Sequence, residues 1–107
     1  MSTSTPRRLA AILAADVVGY SHQIGADEAA TLARIAILRT KVLEPLLAKH
    51  HGRLFKTMGD GFLAEFSSAV QAVACALAVQ ARLAEQEDGL RLRIGLHTGD
   101  VVVQGEE

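Results

Sequence analysis

Gly59-Asp60-Gly61 separates two runs of alternating polarity, Leu54 to Met58 and Phe62 to Phe66. Alternation of this kind marks half-buried strands, and a short Gly-Asp-Gly stretch between them signals a tight hairpin. No other feature restricts the fold as much. A hairpin fixes two strands as antiparallel neighbours, and every remaining element must pack around that pair.

On the N-terminal side, Asp27 is suited to cap a helix, with Glu28 in the first turn favoured by the helix dipole. Leu32, Ile35, Val42, Leu43 and Leu46 then recur at helical spacing, which predicts an amphipathic helix over about 27–50. Pro45 lies inside that pattern. Because it lacks an N–H and clashes with the preceding turn, it is expected to kink the helix or end it early. Gly52 suits the helix stop. Further upstream, Ile12 to Ala15 and Val17-Val18 flank Asp16 in an apolar run closed by Gly19. This reads as a strand buried on both faces, with Asp16 as its oddity.

On the C-terminal side, Ser68 and Gln71 form a capping box. Val70, Val73, Leu77, Ala81 and Ala84 mark a second helix to about residue 87. Asp88-Gly89 is a turn. Leu90, Leu92, Ile94 and Leu96 alternate with Arg91, Arg93, Gly95 and His97, a half-buried strand that Thr98-Gly99-Asp100 interrupts before Val101 to Val103 resumes it.

The order is therefore β-α-β-β-α-β. Right-handed crossovers place the first strand parallel to the second and leave a gap that the third fills. The expected fold is α+β and ferredoxin-like, a four-stranded antiparallel sheet with both helices on one face. The 107 residues hold one such domain. Residues 1–8 are expected to form a flexible arm and 9–107 the domain. There is no internal repeat.

Composition narrows the function classes. A net charge of −1 argues against nucleic-acid binding by bulk charge. Eighteen alanines and only four aromatic residues predict a core of small aliphatics. The single cysteine excludes an internal disulfide and a Cys-based zinc site, and the default compartment is reducing and cytoplasmic. No apolar run reaches the roughly 20 residues of a spanning helix, so no membrane contact is expected from this segment. Ser2 after Met1 excludes N-myristoylation.

The topology gives two carboxylates a meaning. Asp16 ends the first strand and Asp60 begins the third. Those strands are antiparallel neighbours, so the two side chains converge at one edge. A carboxylate pair is costly without a counter-charge, and a hard cation supplies one. Mg²⁺ is typically held by one or two carboxylates plus substrate phosphates, and two such ions form the clamp of in-line phosphoryl displacement. Gly19 lies where strand passes to helix, so the backbone N–H groups of Val18, Gly19, Tyr20 and Ser21 are candidates to face a phosphate. Lys56, four residues before Asp60, is a candidate base-reading donor or phosphate partner.

These residues resemble the class III nucleotidyl cyclases, the adenylate and guanylate cyclases. Ala15-Asp16-Val17-Val18-Gly19-Tyr20-Ser21 is similar to the family's first metal motif. His51-Gly52-Arg53 followed by Lys56-Thr57-Met58-Gly59-Asp60-Gly61 is similar to the second. Arg93-Ile94-Gly95-Leu96-His97-Thr98-Gly99 is similar to its fourth-strand signature. Three motifs in order, spanning Leu9 to Glu107, make the resemblance specific.

The resemblance implies that Asp16 and Asp60 are metal carboxylates, joined by the carbonyl of Val17, with two Mg²⁺ or Mn²⁺ ions per site. It implies that Lys56 reads the purine, and lysine there goes with adenine. ATP is then the substrate. Attack of the ribose 3′-hydroxyl on the α-phosphate gives 3′,5′-cyclic AMP and pyrophosphate for intracellular signalling. In the family the site forms between two chains, which implies a homodimer with Asp16 and Asp60 from one copy and Lys56 from the other. The family's later segment carries a second purine reader, an asparagine that orients the ribose and an arginine that stabilises the transition state. These have no counterpart here, so low or no turnover is expected from this chain alone.

The other polar residues have plainer readings. His50 and His51 suit a helix C-terminus. His22 and His97 are surface or strand residues, and Cys75 is a small buried hydrophobe. Arg91 and Arg93 form a solvated strand face. An RNA-binding domain of this topology would stack bases on sheet aromatics, which are few here. The Gly-Gly-Asp/Glu-Glu-Phe signature of diguanylate cyclases is absent. The alternative of another class is a non-catalytic module, derived from a cyclase palm, that binds nucleotide and metal or dimerises through its open sheet face.

Overall fold

The structure is a computed structural model that describes residues 7–20, 25, 27–86 and 90–102. Its element order is β1 (Arg7–Val17), α1 (Glu28–Leu38), a π-helical turn (Arg39–Leu43), α2 (Glu44–Lys49), β2 (Arg53–Met58), β3 (Gly61–Phe66), α3 (Ala69–Ala84) and β4 (Leu92–Val102). The sheet order is β2-β3-β1-β4, and each neighbouring pair is antiparallel. This is the expected α+β, ferredoxin-like arrangement, with β3 between β1 and β2.

The hairpin forms where the sequence places it. Met58 pairs with Gly61 across a two-residue turn, and Gly59 has φ +53°. A positive φ at the first turn residue is what glycine supplies without steric cost. One register shift, between Leu54 and Lys56, interrupts the β2–β3 ladder.

The first helix keeps its expected span but not its expected break. Asp27 caps α1 by accepting from the Ala30 N–H at 3.0 Å. At Pro45 the helix does not end. The preceding turn widens instead, and the Glu44 N–H reaches back to the Arg39 carbonyl. A π turn moves the hydrogen-bond register by one residue just before the residue that has no N–H to give, and α2 continues to Lys49.

The helix stop is also built differently. His51, not Gly52, takes the left-handed conformation, with φ 63°. The Gly52 N–H bonds to the Leu47 carbonyl at 2.7 Å and the His51 N–H to the Ala48 carbonyl at 3.2 Å, the pair of bonds of a Schellman motif. Gly52 is required for space, because a Cβ there would sit 2.5 Å from the Phe66 ring.

Further corrections concern edges and faces. β1 begins at Arg7, inside the stretch expected to be an arm, because Arg7 and Arg8 pair with Val102 and Val101. β4 runs unbroken through Thr98-Gly99-Asp100, since β1 supplies a partner at each of those positions. β1 is not buried on both faces: Ala11, Leu13, Ala15 and Val17 are buried, whereas Ala14 is exposed and Asp16 half-buried. The expected turn at Asp88-Gly89 lies outside the described residues.

The largest reversal is in α3. Ser68 caps it, accepting from the Gln71 N–H at 3.2 Å, and the Gln71 Oε1 lies 3.3 Å from His50 Nδ1. Its buried residues are Ala72, Cys75, Val79 and Leu83. Val70, Val73 and Leu77, which the periodicity assigns to the core, face outward, with Val70 78 % and Leu77 66 % exposed.

The core lies between the helices and one face of the sheet. It joins Leu13 and Val17 of β1, Phe62 and Phe66 of β3, Ile35, Leu38, Val42, Leu43 and Leu47 of the first helical run, and Cys75 and Val79 of α3. Leucine, not alanine, is its commonest residue, so the core is built of larger aliphatics than the composition implies. Burial pushes the Cys75 thiol up to about 11, so it stays protonated and behaves as an apolar group. No helix among the described residues is long and apolar enough to cross a membrane.

Candidate functional site

The β1–β3 ladder ends by setting Asp16 opposite Gly61, the residue that follows Asp60. The Val17 N–H donates to the Asp60 carbonyl at 3.2 Å, which ties the hairpin turn to the end of β1. The convergence expected from topology is therefore present in the register itself. Both aspartates line one open cavity of about 640 Å³ together with Met58, Leu63, Arg93 and Gly95.

Alternation explains why this cavity lies on the uncovered face. Val17 and Ala15 point to the core, so Asp16 between them points away from it. Its neighbours across the ladders are Gly61 on one side and Arg93 on the other. Small residues surround it: Ala14 pairs with Gly95, and a Cβ at Gly95 would meet nothing within 4 Å. The floor of the cavity is thus low and wide enough to admit a ligand.

Arg93 is a cavity-lining residue that the sequence reading did not bring to Asp16. Its Nε donates to Asp16 Oδ1 at 3.0 Å, with the two side chains 73 % and 41 % exposed. Alternation along β4 placed Arg93 on a solvated face, but only the β1–β4 register names its partner.

The other candidates are not gathered into this cavity. Lys56 is exposed on β2, at the edge of the sheet, opposite Leu63. Gly19 has φ 73°, which suits a tight passage out of β1. The Val18 N–H, expected to face a phosphate, donates instead to the Arg91 carbonyl at 2.9 Å. Tyr20 is half-buried and packs against the core. Ser21 lies outside the described residues.

The donor set fits a hard divalent cation. Two carboxylates share a solvent-open cavity, and among the described residues no group of three His, Cys, Asp or Glu side chains comes together. Such a site leaves most coordination positions to carbonyl, water or phosphate oxygens, which is how Mg²⁺ is commonly bound.

Comparison with known proteins identifies the family. The model of the adenylate and guanylate cyclase catalytic domain matches residues 3–105. A Rhizobium meliloti protein named "Putative adenylate cyclase 3" is 46 % identical over 97 % of this chain, which spans 19 % of that protein. Among solved structures, an adenylate/guanylate cyclase/hydrolase from Silicibacter pomeroyi is 37 % identical with a TM-score of 0.86, over 95 % of this chain and 63 % of that one. The guanylyl cyclase Cya2 is 25 % identical with a TM-score of 0.77, over 98 % of this chain and 62 % of that one. The chain thus spans about one fifth of the first relative and under two thirds of these two structures. It belongs to the adenylate and guanylate cyclase catalytic domain family.

Proposed function

We propose that this chain is the metal-binding palm of an adenylate cyclase that converts ATP to 3′,5′-cyclic AMP and pyrophosphate. The observation that carries the reading is the meeting of Asp16 and Asp60 in one cavity on the uncovered face of the sheet. Asp16, Asp60 and the Val17 carbonyl would hold two Mg²⁺ or Mn²⁺ ions. When bound, the ions supply activation of the ribose 3′-hydroxyl and charge stabilisation at the α-phosphate.

The chain's own residues do the rest. Asp16 and Asp60 provide the negative charge that holds the cations. Gly61 and Gly95 keep the floor of the cavity free of side chains, so a triphosphate can approach the carboxylates. Lys56 serves as the adenine reader of a second copy in a homodimer, which agrees with its place on an edge strand away from its own Asp16. The choice of adenine over guanine rests on Lys56 and on the Rhizobium meliloti relative's name.

The test is cyclic AMP production from ATP with Mn²⁺, together with Mn²⁺ and nucleotide binding, on this chain and on Asp16→Ala. Binding by the wild type that Asp16→Ala abolishes, with low or no turnover, is the expected result. Turnover well above background that Asp16→Ala abolishes would keep the site but overturn the expectation of low activity. Absence of both binding and turnover in the wild type would sink the assignment. A homodimerisation module without a nucleotide role would give that last outcome while still self-associating.

A further inference from the structure

Arg93 and Asp16 are direct partners across the β1–β4 ladder, and the bond between them uses Oδ1 of the carboxylate assigned above to a cation. That geometry sets up a competition. A guanidinium on Oδ1 takes up part of the negative charge and of the lone pairs that a cation would use. A fixed positive charge one strand away also repels a dication. Among the described residues Arg93 is the one basic side chain lining the cavity, so no other described group on its wall opposes a cation in this way.

We propose that Arg93 guards Asp16. In the absence of nucleotide it occupies the carboxylate and disfavours binding of a bare divalent cation. The inference rests on the assignment of a metal to Asp16 and Asp60. Two features make the pair fit for the role. It is a surface pair, with the side chains 73 % and 41 % exposed, so it opens at low cost, whereas a buried pair would be locked. The guanidinium also has room to leave, because the neighbouring positions on that face are Ala14 and Gly95, with open space above Gly95. The consequence is selectivity: the carboxylates are partly neutralised at rest, and a cation that arrives alone meets a positive charge.

Equilibrium Mn²⁺ binding to the nucleotide-free protein tests this, read from the electron paramagnetic resonance signal of free Mn²⁺. The wild type is compared with Arg93→Gln, Arg93→Lys and Asp16→Asn. Arg93→Gln keeps most of the side chain's length and removes its charge, and is expected to tighten Mn²⁺ binding by about fivefold. Arg93→Lys keeps the charge and is expected to stay within about twofold of the wild type. Binding seen only in Arg93→Gln would support the guard equally well. If Arg93→Gln binds no tighter than the wild type while Asp16→Asn still abolishes binding, the guard is wrong and the metal site stands. If no variant binds Mn²⁺, or if Asp16→Asn binds as tightly as a wild type that itself binds, the metal assignment fails and the guard fails with it.

Discussion

The two faces of one sheet are made of different material. On the helix-covered face stand Leu13, Val17, Phe62 and Phe66, all buried and all in contact with the core. On the uncovered face stand Ala14, Asp16, Gly61, Arg93 and Gly95. β1 contributes to both because its side chains alternate, so Asp16 lies between two core residues without being in the core. The lesson is a division of labour at single-residue resolution. The covered face holds the fold together, and the other is left low and charged, open to a ligand.

The strongest way to break this comparison is to cut into the covered face. Phe66 is among the largest fully buried side chains, and its ring also fills the space left by Gly52. Phe66→Ala is expected to destabilise the domain by about 3–5 kcal/mol, measured by chemical denaturation. A loss below about 1 kcal/mol would mean that the covered face does not carry the stability.

A sharper test uses one helix against itself. Val79 of α3 is fully buried, while Val73 is 46 % exposed. Val79→Ala is expected to cost about 2 kcal/mol, from lost burial and the cavity left behind. Val73→Ala is expected to stay within about 0.5 kcal/mol of the wild type. A larger loss from Val73→Ala than from Val79→Ala would mean that α3 packs on the other stripe, the one that periodicity favours.

That pair also marks what was legible in the sequence. The strand order was readable because alternation around Gly59-Asp60-Gly61 is strong and the helical runs are long enough to cross over. The convergence of Asp16 with Asp60 followed from that order alone. The face of α3 was not readable. Val70, Val73 and Leu77 form one helical stripe and Ala72, Cys75, Val79 and Leu83 form another, with no charged residue between Ala69 and Ala81 to break the tie. The helix stop was misplaced by one residue, because a glycine rule sees Gly52 but not the Phe66 ring beside it. Arg93 escaped for a similar reason. Its face follows from alternation, but its partner follows from register, and a slip of one residue would have turned it to the core side.

The smallest expected effect on stability lies on the chemical face. Asp16 is 41 % exposed and its partner Arg93 is 73 % exposed, so water screens the pair and competes for both groups. Such pairs contribute roughly 0–1 kcal/mol to folding, against the 3–5 kcal/mol expected for Phe66 on the other face. Asp16→Asn keeps the shape of the side chain and one acceptor oxygen for the Arg93 N–H. Its denaturation midpoint is therefore expected to remain close to that of the wild type, even as Mn²⁺ binding is lost. A loss of stability comparable to that of Phe66→Ala would show that the Asp16–Arg93 pair is structural. The two faces would then no longer divide folding from chemistry, and Asp16 would be held in place by the fold rather than kept available for a ligand.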